Sequence, residues 1–376
     1  MNGSIPDGIF LARPERPAEG IPLAVKDLFD TAGLVTTYGS IMFADHVPEE
    51  TAEAVRRLEA AGYTNVGKTN LHEFAYGTTS ENPHFGTVPN PVFPGRVAGG
   101  SSGGNAAALA LGLADAAVGT DSGGSVRIPA TCCEIVGFKP SYGLVSLQGC
   151  FPLAPSFDHV GPMARSVAGC AEMMKALAPG FEPTEPVALG DLRVGVAWLD
   201  RCEDAGIAKR VSELADGEAV ELPLAEDSGP AFMREVADVH SGLFPEHADS
   251  YGEDLRIKLE RCFAVTDAEH VRSLRARGEL RERFAETMED FDLLLTPTLP
   301  VPPPPVRSGT GDLQVREALV RFTFPVNAVG APALALPCGR TAEGLPASVQ
   351  LIGRPGEDAL VLAAGEALQA DRSAAS

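Results

Sequence analysis

The sequence predicts an α/β fold in which a β-sheet is covered by helices on both faces. Three observations carry this. Short apolar, strand-like runs recur along the chain, helix-favouring stretches lie between them, and no internal repeat imposes a different organisation. Residues 21–30 read as a buried strand that leads into a turn. Residues 51–61 have helical spacing, with Ala54, Val55, Leu58 and Ala61 on one face and a stop at Gly62. A brief strand follows over 63–66. Residues 105–114, rich in alanine and leucine, predict a buried helix just after a Gly-Ser run, and 116–119 a short apolar strand after it. Residues 192–198 alternate as a strand. The charged stretch 213–283 has few strand formers and predicts a helical layer. Residues 291–295 return to a strand before the proline run Pro302 to Pro305, which cannot be a central strand or a helix. Two further strands, 332–337 and 348–352, and a closing helix over 358–370 complete the reading.

The 376 residues, 44% apolar and 22% charged, suffice for one large or two ordinary domains. A net charge of −21 repels phosphate backbones and anionic lipid, so direct nucleic-acid or membrane binding is not expected. It favours neutral or cationic substrates over polyanions. The seven cysteines form no C-x-x-C pair, and the seven histidines show no metal-ligand spacing, so neither a disulfide framework nor a metal site is expected. No apolar run of signal-peptide or membrane length is visible, which predicts a cytoplasmic location.

Two short patterns compete with the main one. Gly62 to Thr69 fits the phosphate-loop pattern G-x-x-x-x-G-K-[ST]. A phosphate loop must follow a strand and open a helix, whereas here a helix precedes Gly62 and the inner residues are strand-like. Gly99 to Gly103 fits the hydrolase nucleophile elbow G-x-S-x-G. The preceding segment is rich in proline and glycine, and the last histidine, His270, falls far from the end.

The third pattern uses two serines set among glycines, in 99–104 (Gly-Gly-Ser-Ser-Gly-Gly) and 121–125 (Asp-Ser-Gly-Gly-Ser), together with Lys26 in an apolar run. Glycine lets backbone amides approach a ligand, so such runs can place a hydroxyl beside converging N–H donors. That combination suits acyl transfer without histidine. The stretch from Gly99 to Gly143 resembles the defining segment of the amidase signature family almost throughout, and 20–27 (Gly-Ile-Pro-Leu-Ala-Val-Lys-Asp) is similar to that family's lysine strand. Residues 67–74, 80–83, 155–162 and 327–350 resemble the glutamine amidotransferase A-subunit branch in particular.

The resemblance implies a single amidase-type domain over 1–376, built on a central mixed sheet. Its signature core covers about 62–180 and its helical substrate-covering region about 200–290. It implies Ser125 as nucleophile, Ser101 as a bridging serine after a cis peptide bond, and Lys26 as base. The backbone amides of Ser122, Gly123, Gly124 and Ser125 would form the oxyanion hole. Ser102, Asp121 and Arg127 would support the two serine loops, and Ala75, Tyr76 and Gly77 would line the acyl pocket. No cofactor is implied, and the family is compatible with a homodimer. An ordinary lysine is protonated at neutral pH, so Lys26 must be desolvated among Leu23, Ala24 and Val25 to act as a base.

The leading expectation is a stand-alone amidase that cleaves a small carboxylic amide through an acyl-enzyme. The runner-up is the glutamine-hydrolysing A subunit of a tRNA-dependent amidotransferase, and a third reading is a catalytically dead scaffold. The chain is shorter than expected for the runner-up, with the stretch between Gly195 and Phe291 read as trimmed, which weighs against glutamine specificity. The intact set of Lys26, Ser101 and Ser125 weighs against a scaffold.

Overall fold

The computed structural model describes residues 5–15, 19–214, 217–306 and 313–375. Its strands are β1 (Phe10–Ala12), β2 (Ile21–Lys26), β3 (Tyr63–Thr69), β4 (Glu81–Asn82), β5 (Gly86–Thr87), β6 (Ala116–Thr120), β7 (Val136–Lys139), β8 (Val160–Ala164), β9 (Val194–Val196), β10 (Glu218–Ala219), β11 (Leu293–Pro297), β12 (Ala333–Arg340) and β13 (Pro346–Ile352). Eleven of them join one sheet in the order β1-β3-β2-β6-β8-β7-β12-β13-β11-β9-β10, while β4 and β5 form a separate pair. The sheet is mixed: β3, β2 and β6 run parallel, as do β11, β9 and β10, and antiparallel pairs through β8, β7, β12 and β13 join these two groups.

The central strands are apolar on both sides because both faces are covered. Leu23 and Val25 of β2 and Val118 of β6 pack with Val55 and Leu58 of the helix Glu53–Ala60, beside Met174 of the helix Val167–Leu177 and Val361 of the helix Asp358–Ala375. The intervening Ala24 and Ala117 face the other way, against Ala106 and Leu109 of the helix Gly103–Ala110. Small side chains on both partners let that helix lie close, and a β-carbon at Gly104 would meet the Asn70 carbonyl oxygen at 2.4 Å. A third cluster joins Leu71, Phe74 and Phe157 to Phe232, Leu255 and Leu280 of the helices Gly229–His240, Glu253–Phe263 and Asp267–Asp290. These helices are the layer expected from the charged middle of the sequence.

Several boundaries differ from expectation. The alanine-rich helix starts two residues early, at Gly103, and stops at Ala110, because Gly112 turns left-handed (φ +68°) and ends it. The strand expected over 63–66 continues to Thr69, so the phosphate-loop pattern lies in the sheet, not at a helix N-terminus. Its Lys68 is fully buried, 3.0 Å from Asp27 and within hydrogen-bond reach of the Phe29 carbonyl (2.6 Å) and Thr36 Oγ1 (2.7 Å). Burial draws Lys68 down and Asp27 up, and the attraction between them opposes both shifts. The proline run stays irregular, with the Pro304 carbonyl accepting from Val97 N at 3.0 Å. All seven cysteines are free thiols. Among the described residues, no helix is long and apolar enough to cross a membrane.

Candidate active site

Parallel strands of an open sheet bring a site together at their carboxyl ends, where the chain departs to opposite sides of a strand. β2 meets this condition, with β3 on one side and β6 on the other. Lys26 is the last residue of β2 and Thr120 the last of β6. The 121–125 loop therefore leaves the sheet beside the lysine. Lys26 is fully buried, and its Nζ lies 2.7 Å from Ser101 Oγ and 2.7 Å from Thr120 Oγ1. Burial pushes its pKa down to about 7, against the weaker upward pull of Asp121 and Asp158. The Gly100–Ser101 peptide bond is cis. Ser101 O accepts from His72 N at 3.2 Å, and Ser102 N donates to Ser125 O at 3.2 Å, which ties the two serine loops together.

Asp121 organises the second loop. One carboxylate oxygen accepts from Gly124 N (2.8 Å) and the other from Val126 N (3.2 Å), and Arg127 donates to both through Nη2 (2.8 Å) and Nε (3.0 Å). Burial alone would raise the Asp121 pKa, but Arg127 above all, with Lys139 and Asn327, holds it well below the usual carboxylate range. Arg127 also donates to Gln350 Oε1 (2.5 Å) and Asn327 Oδ1 (2.6 Å). Ser102 Oγ reaches the Thr120 carbonyl at 3.4 Å. Arg127→Ala would leave the buried Asp121 carboxylate unpaired and is expected to destabilise the fold by about 3–5 kcal/mol, read from urea unfolding. Because the folded pKa of Asp121 is depressed, its contribution is full above about pH 4 and is lost as pH falls through the folded value.

The expected oxyanion hole needs one correction. The single N–H of Gly124 is committed to Asp121 Oδ1, so Gly124 is not a free donor. Its role is steric: φ is +123°, and a β-carbon there would meet Thr323 Oγ1 at 2.2 Å. That same hydroxyl donates to the Gly123 carbonyl at 2.6 Å. The amides of Ser122, Gly123 and Ser125 donate to no protein group among the described residues. Ser125 is 7% exposed, and a β-carbon at Gly123 would come within 3.5 Å of the Phe324 ring. Phe324 stacks on Phe157 (5.6 Å) and meets Phe232 edge-on (5.7 Å), so an aromatic wall stands beside this loop.

Ala75, Tyr76 and Gly77 sit on the buried loop after β3 that also carries His72. Tyr76 packs against Phe232 (5.8 Å), and the His72 ring fills the space where Gly77 would carry a side chain. None of the three hydrogen-bonds to Lys26, Ser101 or Ser125. A pocket of about 780 Å³ whose lining includes Arg13, Glu15, Thr31 and Asn65 contains none of the candidate residues. Among the described residues, no cluster of His, Cys, Asp or Glu is placed to hold a metal.

Sequence reasoning missed Thr120, Asp158, Asn327 and Gln350 as site residues. Ser122 Oγ donates to Asp158 Oδ1 at 2.5 Å, and Asn327 Nδ2 donates to the Asp121 carbonyl at 2.8 Å. All four lie within or at the ends of the segments that carried the resemblance, so asking each polar residue there for a buried partner would have flagged them.

The sequence profile of the family described as Amidase matches residues 7–205 and 224–362. The chain is 35% identical to the A subunit of the glutamyl-tRNA(Gln) amidotransferase of Haloarcula marismortui, across 98% of this chain and 99% of that one. It is 37% identical to the corresponding protein of an Anaeromyxobacter species, across 95% and 84%. Among solved structures it is similar to a crystal structure of an amidase, with a TM-score of 0.85 and 40% identity over 94% of this chain and 85% of that one. The A subunit of the glutamyl-tRNA(Gln) amidotransferase of Thermotoga maritima gives a TM-score of 0.82 and 29% identity over 96% and 86%. The haloarchaeal match, nearly end to end in both chains, overturns chain length as an argument against the A-subunit branch. With its profile matched over most of its length and its fold shared with these enzymes, this chain belongs to the amidase family.

Proposed function

We propose that the chain hydrolyses a carboxamide through an acyl-enzyme on Ser125, and that its setting is the glutamine-hydrolysing A subunit of an amidotransferase. The observation that carries the chemistry is the buried Lys26 amine 2.7 Å from Ser101 Oγ, with its pKa drawn down to about 7. An uncharged amine takes the Ser101 proton while Ser101 takes that of Ser125, and the Ser125 oxygen bonds to the carbonyl carbon. The amides of Ser122, Gly123 and Ser125 receive the oxyanion. The proton returns from Lys26 to the amide nitrogen, the C–N bond breaks and ammonia leaves. Water then adds to the acyl-serine by the same proton path and frees the carboxylate. The strands from both ends of the sequence enter one sheet, which supports reading the chain as one catalytic unit.

The A-subunit setting rests on the relatives, which are amidotransferase subunits by name. One observation favours the stand-alone hydrolase instead: Phe324, Phe157 and Phe232 beside Gly123 suit an apolar acyl group better than the charged tail of glutamine. Ammonia release by the purified chain, measured with L-glutamine and with apolar primary amides, separates the two. Glutamine turnover, or glutamine turnover gained on adding co-purifying subunits, supports the first. Turnover of apolar amides alone supports the second.

A further inference from the structure

A buried carboxylate beside the site has no part in the steps above. Asp158 lies in the segment before β8, and its oxygens accept from Ser122 Oγ (2.5 Å), Leu153 N (2.9 Å) and Ala154 N (3.1 and 3.2 Å). The next residue, His159, pairs its backbone with Asp121: Asp121 N donates to His159 O at 2.8 Å, and His159 N to Asp121 O at 3.1 Å. The 153–159 segment is thus fastened along the start of the 121–125 loop. Asp121 grips the far end of that loop at Gly124 and Val126, and Asp158 grips the near end at Ser122. The amides of Ser122 and Gly123 lie between the two carboxylates.

We propose that Asp158 is a positioning residue of this site, fixing Ser122 so that the Ser122 and Gly123 amides face the oxyanion and supplying the negative charge that balances Lys26 when it takes up a proton. The proposal rests on the roles given above to Ser125 and Lys26. Its electrostatic half follows from how the charges are paired. Asp121 is neutralised at contact by Arg127, whereas Asp158 makes no ion pair among the described residues. The carboxylates that act on Lys26 are Asp121 and Asp158, and both favour its protonated form; Cys150 stands near it as a thiol that burial keeps uncharged. Burial above all raises the Asp158 pKa, and Glu235 adds to the rise, while three hydrogen-bond donors, Ser122 and the amides of Leu153 and Ala154, favour its charged form. A cation that forms on Lys26 during attack therefore meets one carboxylate already balanced and one that is not.

Asp158→Asn keeps the size of the side chain and, with its amide turned, an oxygen toward the Leu153 and Ala154 amides. It is expected to lower kcat about 10²-fold with KM little changed, the scale of a displaced catalytic group. It should also move the acidic limb of the rate profile to lower pH by about one unit, because a negative charge near Lys26 is gone. Ser122→Ala removes only the hydroxyl. It should lower kcat while the limb stays where the wild type has it. Unchanged kcat in either variant, or an unmoved limb in Asp158→Asn, overturns the proposal. Ser122→Ala keeps it open to refutation should Asp158→Asn fail to fold. Failure of the underlying reading shows separately, as undiminished turnover by Ser125→Ala.

Discussion

Ser125→Ala is expected to lower amide turnover by about 10⁶-fold, the scale reached when a serine nucleophile is deleted, while leaving the fold intact. The side chain of Ser125 makes no hydrogen bond to the protein among the described residues, so its loss strands no buried partner. The backbone of residue 125 does the structural work: its carbonyl accepts from Ser102 N at 3.2 Å and survives the substitution. The amides of Ser122 and Gly123 also survive, and residual turnover would come from them and from substrate binding. Thermal unfolding and ammonia release measured on the same preparation check both halves. A variant that unfolds, or one that keeps its activity, goes against the assignment.

Lys26→Ala is expected to cost about 10²–10⁴-fold, the usual contribution of a general base, and to change the shape of the pH profile. With its pKa near 7, Lys26 is protonated and unable to accept at lower pH, so wild-type kcat/KM should rise through about pH 7 and level off above it. The variant should lack that limb. Stability has its own sign. The charged form is the one the fold disfavours, so the penalty is full below the folded pKa and disappears above the unfolded value of about 10.4. Lys26→Met, which keeps the buried volume, should therefore gain stability relative to wild type as the pH is lowered from about 9 to about 6. Denaturant midpoints across that range measure the gain.

The strands that place the site were legible because β2 and β6 are continuous apolar runs, as strands buried on both faces must be. β7 and β8 were not, since β7 has only four residues and β8 has its apolar run broken by Gly161 and Pro162 in succession. The helix Val167–Leu177 was missed although Ser166 caps it by accepting from Gly169 N, a signal present in the sequence. At the site, the glycines around both serine runs and the apolar residues around the lysine drew attention to these segments, and the family resemblance implied the roles of Lys26, Ser101 and Ser125. The partners of Arg127 could not be read this way. Gln350 lies 223 residues from it and Asn327 lies 200, and only the folded sheet brings them together. Gly124 shows the opposite failure: the resemblance implied an oxyanion donor there, but its amide donates to Asp121.

The proton path from Ser125 through Ser101 to Lys26 is tested most directly by labelling the wild-type chain with a fluorophosphonate at a series of pH values and mapping the adduct by tandem mass spectrometry. The account predicts a single adduct on Ser125, formed at a rate that rises through about pH 7. An adduct on another residue, or a rate on Ser125 that stays flat from about pH 6 to about pH 8, would contradict it.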